Sequence, residues 1–258
     1  MDTRQEHPIV FGVAMVRSIM DNLKTHTRRA IHPQPGARAT GGYWITLSSR
    51  KSEVGKYQFI TDHWKEGNNV GEPIRSPYGM GGDRLWVKEV WRLQGWDWDD
   101  LNVLVEYKDH EKSWHDMSPD EWQSERWTDW LITRSERILA LPGVTCDEDG
   151  EHCEWPDEIV PWQSPIFMPR WATRLLLDVV SVRVERLQDM TEADAIAEGV
   201  RSWAGGACFS VVFGDTEFNS PSALACYRWL WDKINGDKPG CRWADNPWVF
   251  DVCFRKAA

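Results

Sequence analysis

Apolar positions along the chain change period several times, and each change predicts an element. Met15, Ile19 and Leu23 recur every four residues, the spacing of one buried helix face. Asn22, near the end of that run, tolerates the left-handed conformation that closes many helices. From Arg84 to Trp91 the pattern alternates, with Leu85, Val87 and Glu89 on one face and Trp86, Lys88 and Val90 on the other, which predicts a strand. Val103 to Tyr107 predicts a hairpin strand. Residues 174–187 read as one long strand, or two with a kink, and the apolar parity changes near Val180-Ser181, the mark of a bulge. Thr191 and Asp194 have the spacing of a capping box, and Gly199 is a helix stop, so Glu198 is the last residue of a short helix. Ser220-Pro221 opens a further helix that runs to Ile234 and stops at Asn235-Gly236, with Leu224, Tyr227 or Arg228, and Trp231 on one face. Trp248 to Phe254 alternates again and predicts a final strand.

Between these elements the chain is turn-rich. Residues 33–43, 76–83 and 200–220 read as loops, and Trp44, Ile45 and Leu47 as a short strand in a mixed polar stretch. Residues 92–165 read as a long insertion, with a helix starting at Ser118-Pro119 that carries Trp122, Trp127 and Trp130 on one face. An acidic loop over 146–158 follows. The whole predicts one α+β domain over 1–258, mostly strands around a barrel-like core, with insertions at about 33–75 and 93–165.

Composition narrows the function classes. With 27% charged and 41% hydrophobic residues in 258, the chain has enough apolar material for a sizeable core. A net charge of −10 argues against wrapping a long nucleic acid, which needs a basic footprint. It leaves room for a local basic pocket, and Lys24, His26, Arg28, Arg29 and His32 form the densest basic cluster. Trp is over-represented, 18 copies against 5 Tyr and 8 Phe. Such rings stack on bases or sugars, but also fill cores and brace irregular segments, and most are expected in the second role. No run of 18 apolar residues exists, so no membrane contact is expected. The chain begins without an apolar leader, so reduced thiols and a cytoplasmic location are the expectation for its six cysteines. Cys146, His152 and Cys153 fit no zinc spacing, and no metal or other cofactor is expected.

The segment from Leu23 to Arg29 carries the densest chemistry. It holds an amine, two hydroxyls, an imidazole and two guanidiniums within seven residues, directly after a helix. Lys24 and Thr27 leave the helix end together, and a lysine whose pKa is lowered by burial can activate a weak hydroxyl nucleophile. A basic solvated turn is the plain alternative. Glu198 stands at a helix C-terminus, where the dipole disfavours a carboxylate, which is compatible with a functional role.

In order, the helix followed by Lys24-Thr25-x-Thr27-x-Arg29, then Gly82-Asp83-x-Leu85-Trp86-Val87-x-Glu89, then the strand through Val182 and Val184, the helix Thr191 to Gly199 and the strand Trp248-Val249-Phe250-x-Val252-x-Phe254 resemble the ASCH branch of the PUA-like superfamily. Met168-Pro169-Arg170-Trp171-Ala172 and Asn246-Pro247-Trp248-Val249 are similar to stretches of its larger phage- and prophage-encoded members. The resemblance covers roughly 8–32, 76–92 and 166–256 and implies a PUA-like β-barrel with flanking helices and a large insertion. It also implies an amidohydrolase acting on N4-acetylcytidine, with Lys24, Thr27 and Glu198 as the catalytic residues. Many relatives carry Glu where Thr27 stands, so Thr favours the amidohydrolase subgroup. The family's Gly before the lysine is Asn22 here, which takes the same backbone angle.

On that reading Thr27 attacks the amide carbonyl, Lys24 accepts its proton, and Glu198 orients Lys24 or carries the proton to the leaving amine. A water activated by Glu198 is an equally legal route. Arg29, Trp86, Glu89 and Trp171 are the expected substrate-binding residues, with Trp86 or Trp171 stacking on the base. The expected partner is a small-molecule nucleoside. Two other classes compete: a non-catalytic module that binds RNA or a modified nucleobase, and a phage assembly protein whose Trp-rich insertion is an interface.

Overall fold

The computed structural model describes residues 4–61, 69–97, 102–116, 125–146, 153–156 and 159–257. They form a mixed α+β structure dominated by strands. In chain order these are β1 (Glu6–Val10), α1 (Val13–Met20), β2 (His26–Ala30), β3 (Gly41–Trp44), β4 (Lys56–Ile60), β5 (Asn69–Arg75) and β6 (Arg84–Lys88). Then come β7 (Trp91–Asp97), β8 (Asn102–Tyr107), β9 (Lys112–Asp116), α2 (Glu125–Leu139), β10 (Thr145–Cys146), β11 (Cys153–Glu154) and β12 (Leu176–Arg186). The chain ends with α3 (Glu192–Ala197), β13 (Arg201–Trp203), β14 (Cys208–Phe213), β15 (Thr216–Ser220), α4 (Ala223–Asn235) and β16 (Trp248–Lys256). Two compact units result: Met1–Ile9, Ala14–Trp86 and Leu175–Ala258 make the first, Val10–Val13 and Val87–Arg174 the second.

The first unit is organised by a five-stranded sheet of order β1-β6-β12-β16-β2. β16 lies between β12 and β2, and its residues from Trp248 to Val252 are all buried, on both faces rather than on one. β12 shifts register between Val179 and Ser181, where its apolar parity changes. A glycine distant in sequence packs against the bulge. Gly81 lies so close that a Cβ on it would sit 2.7 Å from the Val180 carbonyl oxygen, so only glycine fits there. The expected barrel does not close: among the described residues the sheet is open, with β1 and β2 at its edges. The outer edge of β2 is occupied instead by the end of α3, where Thr25 N–H donates to Ala197 O at 2.8 Å. Residues 200–220, read from sequence as loop, fold as the antiparallel sheet β13-β14-β15. Gly205, Gly206 and Gly214, all at positive φ, make the reversals between its strands. That sheet and α4 enclose a core of Leu187, Val211, Cys226, Leu230, Trp231 and Val249. Segment 33–75 contributes a third sheet, β3-β4-β5.

The second unit contains the sheet β7-β8-β9 and packs Trp91, Leu93, Val103, Val105, Tyr107, Ile138 and Met168 together. The predicted hairpin strand is β8, and the predicted strand over 84–91 is divided into β6 and β7 while keeping Leu85, Val87 and Glu89 on its buried face. The helix start at Ser118-Pro119, Trp122, and the side chains of Trp127 and Trp130 lie outside the described residues. Cys146 and Cys153, expected as reduced thiols, are joined in a disulfide with Cα atoms 4.1 Å apart, because the β10–β11 pair sets them opposite each other.

Candidate active site

Two helix ends meet to build the site. α1 stops where Asn22 turns to φ 58°, and the N–H groups of Leu23 and Lys24 both fold back onto Ser18 O, at 2.8 and 3.0 Å. Leu23 is outside the helix and 47% exposed, so the buried face is Val16 and Ile19 with Ser18. The turn drives the Lys24 side chain inward, 3% exposed, and the chain continues as β2. On the other side, the Thr191–Asp194 capping box starts α3, Glu198 is its C-cap, and Gly199 leaves it at φ 99°. A Cβ on Gly199 would lie 2.8 Å from Ser18 Oγ and 3.3 Å from Lys24 Cβ, so glycine is what lets the two ends touch. Lys24 and Glu198 then face each other as an isolated antiparallel bridge.

Their side chains form a buried ion pair. Lys24 Nζ donates to Glu198 Oε2 at 2.6 Å and to Glu198 O at 2.8 Å. Glu198 Oε1 accepts from the Arg28 backbone N–H at 2.6 Å, from Tyr227 Oη at 3.2 Å and from Arg28 Nη1 at 3.5 Å. Burial lowers the Lys24 pKa; the Glu198 charge opposes this, and the nearby Arg29 and Arg28 charges reinforce it. Burial, and then the Glu198 charge, raise the Tyr227 phenol well above its ordinary value, so Tyr227 stays a donor.

Behind this pair lies a row of charges across three strands. Arg183 on β12 faces Asp251 on β16, which faces Arg28 on β2. Asp251, 1% exposed, accepts from Arg183 Nη2 at 2.6 Å and pairs with His26 Nδ1 at 3.2 Å. Arg28 also reaches Glu185 at 2.8 Å and Asp194 at 3.4 Å. Burial works against its charge, but Glu198, Asp251 and Glu185 outweigh it and hold its pKa above the ordinary arginine value. Alternation along β2 puts Thr27 and Arg29 on the opposite face, in register with Val252 and Phe250.

A cavity of about 220 Å³ is lined along β2 by Thr27, Arg28, Arg29 and Ala30. Thr27, Arg29 and Glu198 are in its wall with Tyr227, while Lys24 lies behind Glu198. Four of the predicted residues are thus brought together. The other three are not among its lining: Trp86 is on β6 opposite Leu176, while Glu89 and Trp171 belong to the second unit. Glu89 binds the Arg174 guanidinium with both oxygens, at 3.0 and 2.7 Å, and Trp171 packs edge-on against Trp91 and His115. Sequence reasoning placed Arg28 in the basic cluster without giving it a role, and missed Tyr227 and Asp251 as members of the site. Asp251 had a readable signal, a carboxylate in the middle of an otherwise apolar strand; Tyr227 had none beyond its place on an apolar helix face.

Among the described residues no group of three or more His, Cys, Asp or Glu has the arrangement of a metal site, and no helix is long and apolar enough to cross a membrane. Searches of protein-family models, of curated proteins and of solved structures each returned no match.

Proposed function

We propose that this chain is a PUA-like protein of the ASCH type that hydrolyses the acyl amide of N4-acetylcytidine or a related N4-acylated cytosine nucleoside. One observation carries the reading: a buried Lys24–Glu198 pair, 2.6 Å apart, with Thr27 and Glu198 on one cavity wall. Thr27 Oγ adds to the acyl carbonyl carbon, and its proton passes to the Lys24–Glu198 pair. The tetrahedral intermediate collapses with cleavage of the C–N bond, and the pair returns the proton to the leaving N4. Water then hydrolyses the acyl-Thr27 ester, releasing the carboxylic acid and restoring the hydroxyl. Lys24 suits the role of proton acceptor because its burial favours the neutral amine, whose two N–H groups match the two oxygens of Glu198 that it contacts. Direct activation of water by Glu198 is the weaker route, since Oε1 already accepts from three donors.

The test is release of cytidine from N4-acetylcytidine, followed by chromatography, for the wild type beside Thr27→Val, Lys24→Met and Glu198→Gln, each checked for folding by circular dichroism. The expected result is turnover by the wild type and a loss of kcat of about 10³-fold or more in each variant. A wild type that turns nothing over, or variants as active as wild type, would overturn the reading. Binding of RNA or of the acylated base without turnover would favour a recognition module instead.

A further inference from the structure

The residues lining the cavity fall into two chemically different groups. One wall is α4 and the residues just after it; the other is β2 and the residues just after it. In one group Tyr227 on α4 meets the Arg28 backbone and Glu198, next to Thr27. In the other the two walls converge again, at Cys241: its N–H donates to Lys238 O at 3.2 Å, and its Sγ lies 3.8 Å from His32 Nε2. Lys238 and His32 both line the cavity there and are exposed. Arg29 also lines it, on β2. Its charge is felt inside: burial raises the Tyr78 phenol, and Arg29 opposes the rise.

From Tyr227 to Asn235 is eight residues of helix, so the lining residues of α4 are spread over about 12 Å of helix axis. Met15, Leu230, Trp231 and Ile234 make the apolar part of the lining. The charge is one-sided. Glu198 is the only carboxylate in the lining, and it is held by Lys24, Arg28 and Tyr227. Lys238 Nζ donates to one neutral acceptor, Asn235 Oδ1, at 2.9 Å. In a chain of net charge −10, a concave site carrying Lys238 and Arg29 beside its apolar lining attracts an anion.

We propose that Lys238 and His32, with Arg29 beside them, form a phosphate subsite, so that the ligand is an N4-acylated cytidine bearing a phosphate rather than the neutral nucleoside. The nucleoside part of this assignment rests on the hydrolase reading; the anion does not. The span fits, because a nucleotide carries its phosphate and its exocyclic amide at opposite ends of the molecule. A phosphate monoester of a free nucleotide and a phosphodiester of an oligonucleotide share this chemistry.

Comparing kcat/KM on N4-acetylcytidine, its 5′-monophosphate and a short oligonucleotide containing one N4-acetylcytidine tests the proposal, in wild type and Lys238→Gln. The phosphorylated substrate is expected to be preferred about tenfold or more by the wild type, the size of one or two charge-assisted hydrogen bonds. Lys238→Gln is expected to collapse that ratio toward one. A higher value on the oligonucleotide than on the monophosphate would assign the subsite to a phosphodiester, and the reverse to a free nucleotide. Equal values for phosphorylated and unphosphorylated substrates, or a preference that Lys238→Gln leaves intact, would overturn the phosphate subsite and leave the hydrolase standing. If no substrate is turned over, the hydrolase reading fails and calorimetry decides the subsite. Binding of cytidine 5′-monophosphate and inorganic phosphate that Lys238→Gln weakens would support it; no binding of either would overturn it.

Discussion

A lysine and a glutamate held in contact away from water define what substitutions at the site can do. Removing one partner of such a pair typically costs about 3–5 kcal/mol, because the other charge is left buried. The pair here is asymmetric. Lys24 is already pushed toward its neutral form, so loss of Glu198 leaves an amine that can shed its proton, whereas loss of Lys24 leaves a carboxylate. Glu198→Gln is therefore expected to cost less stability than Lys24→Met, as read by denaturant midpoints. Thr27→Val keeps the shape of the side chain and is expected to abolish turnover with the melting temperature changed by only a few degrees. Linkage supplies a further check. A folded Lys24 with a lowered pKa binds fewer protons than the unfolded chain does just below the ordinary lysine value. Stability contributed at this residue therefore rises with pH in the window just below the ordinary lysine value of about 10.4. Wild type is expected to gain stability relative to Lys24→Met across that window; a flat difference would mean that Lys24 stays fully charged.

At the scale of elements, what brings Lys24 and Glu198 together is a close approach of two helix ends. Gly199→Ala places a Cβ against Ser18 Oγ at a backbone angle that L residues rarely adopt, and is expected to destabilise by about 2 kcal/mol or more and lower kcat together. Denaturant unfolding and initial rates on the same preparation check this; Ser18→Gly is expected to return part of the stability, since it removes the atom that collides. Elements governed by neighbours a few residues apart were legible in the sequence. The left-handed Asn22, the Thr191–Asp194 box, the stop at Gly199 and the bulge beside Val180 each follow from chemistry within one turn of chain. The sheet over 201–220 was not, because Gly205-Gly206 and Gly214 read equally well as hairpin turns or as loop. Nor was the cover on the outer edge of β2, which depends on a contact with residues about 170 positions later. Lys24, Thr27, Arg29 and Glu198 converge on one site, while Glu89 and Trp171 satisfy neighbours in their own unit.

For the whole molecule, the buried Arg28 and the carboxylates around it set the response to acid. Burial raises the Asp251 carboxyl, but His26, Arg28 and Arg183 outweigh it and hold its pKa below the usual range. Asp194 is also lowered: burial opposes, and the Thr191 bonds and Arg28 prevail. Groups depressed in this way contribute stability that is present above the ordinary Asp pKa and lost as pH falls through the folded value. Glu185 is raised by burial despite Arg28, and contributes with the opposite sign. With two depressed groups against one raised, the net expectation is acid unfolding below about pH 4. Asp251→Asn is expected to lower stability at neutral pH and flatten its dependence below that point, measured by urea unfolding at stepped pH. A thiol titration tests the cysteine assignment: four reactive thiols in the denatured, unreduced chain, six after reduction.

The cover on the outer edge of β2 has a consequence unrelated to catalysis. An edge strand presents unpaired N–H and C=O groups, a template on which another chain can add. Glu198 and Ala197 occupy that rim at Arg28 N–H and Thr25 N–H. Residues that would turn over a substrate therefore also act as a stopper against self-templated strand growth. Without an acceptor at position 198 the Arg28 N–H on that rim would be open to the carbonyl of another chain.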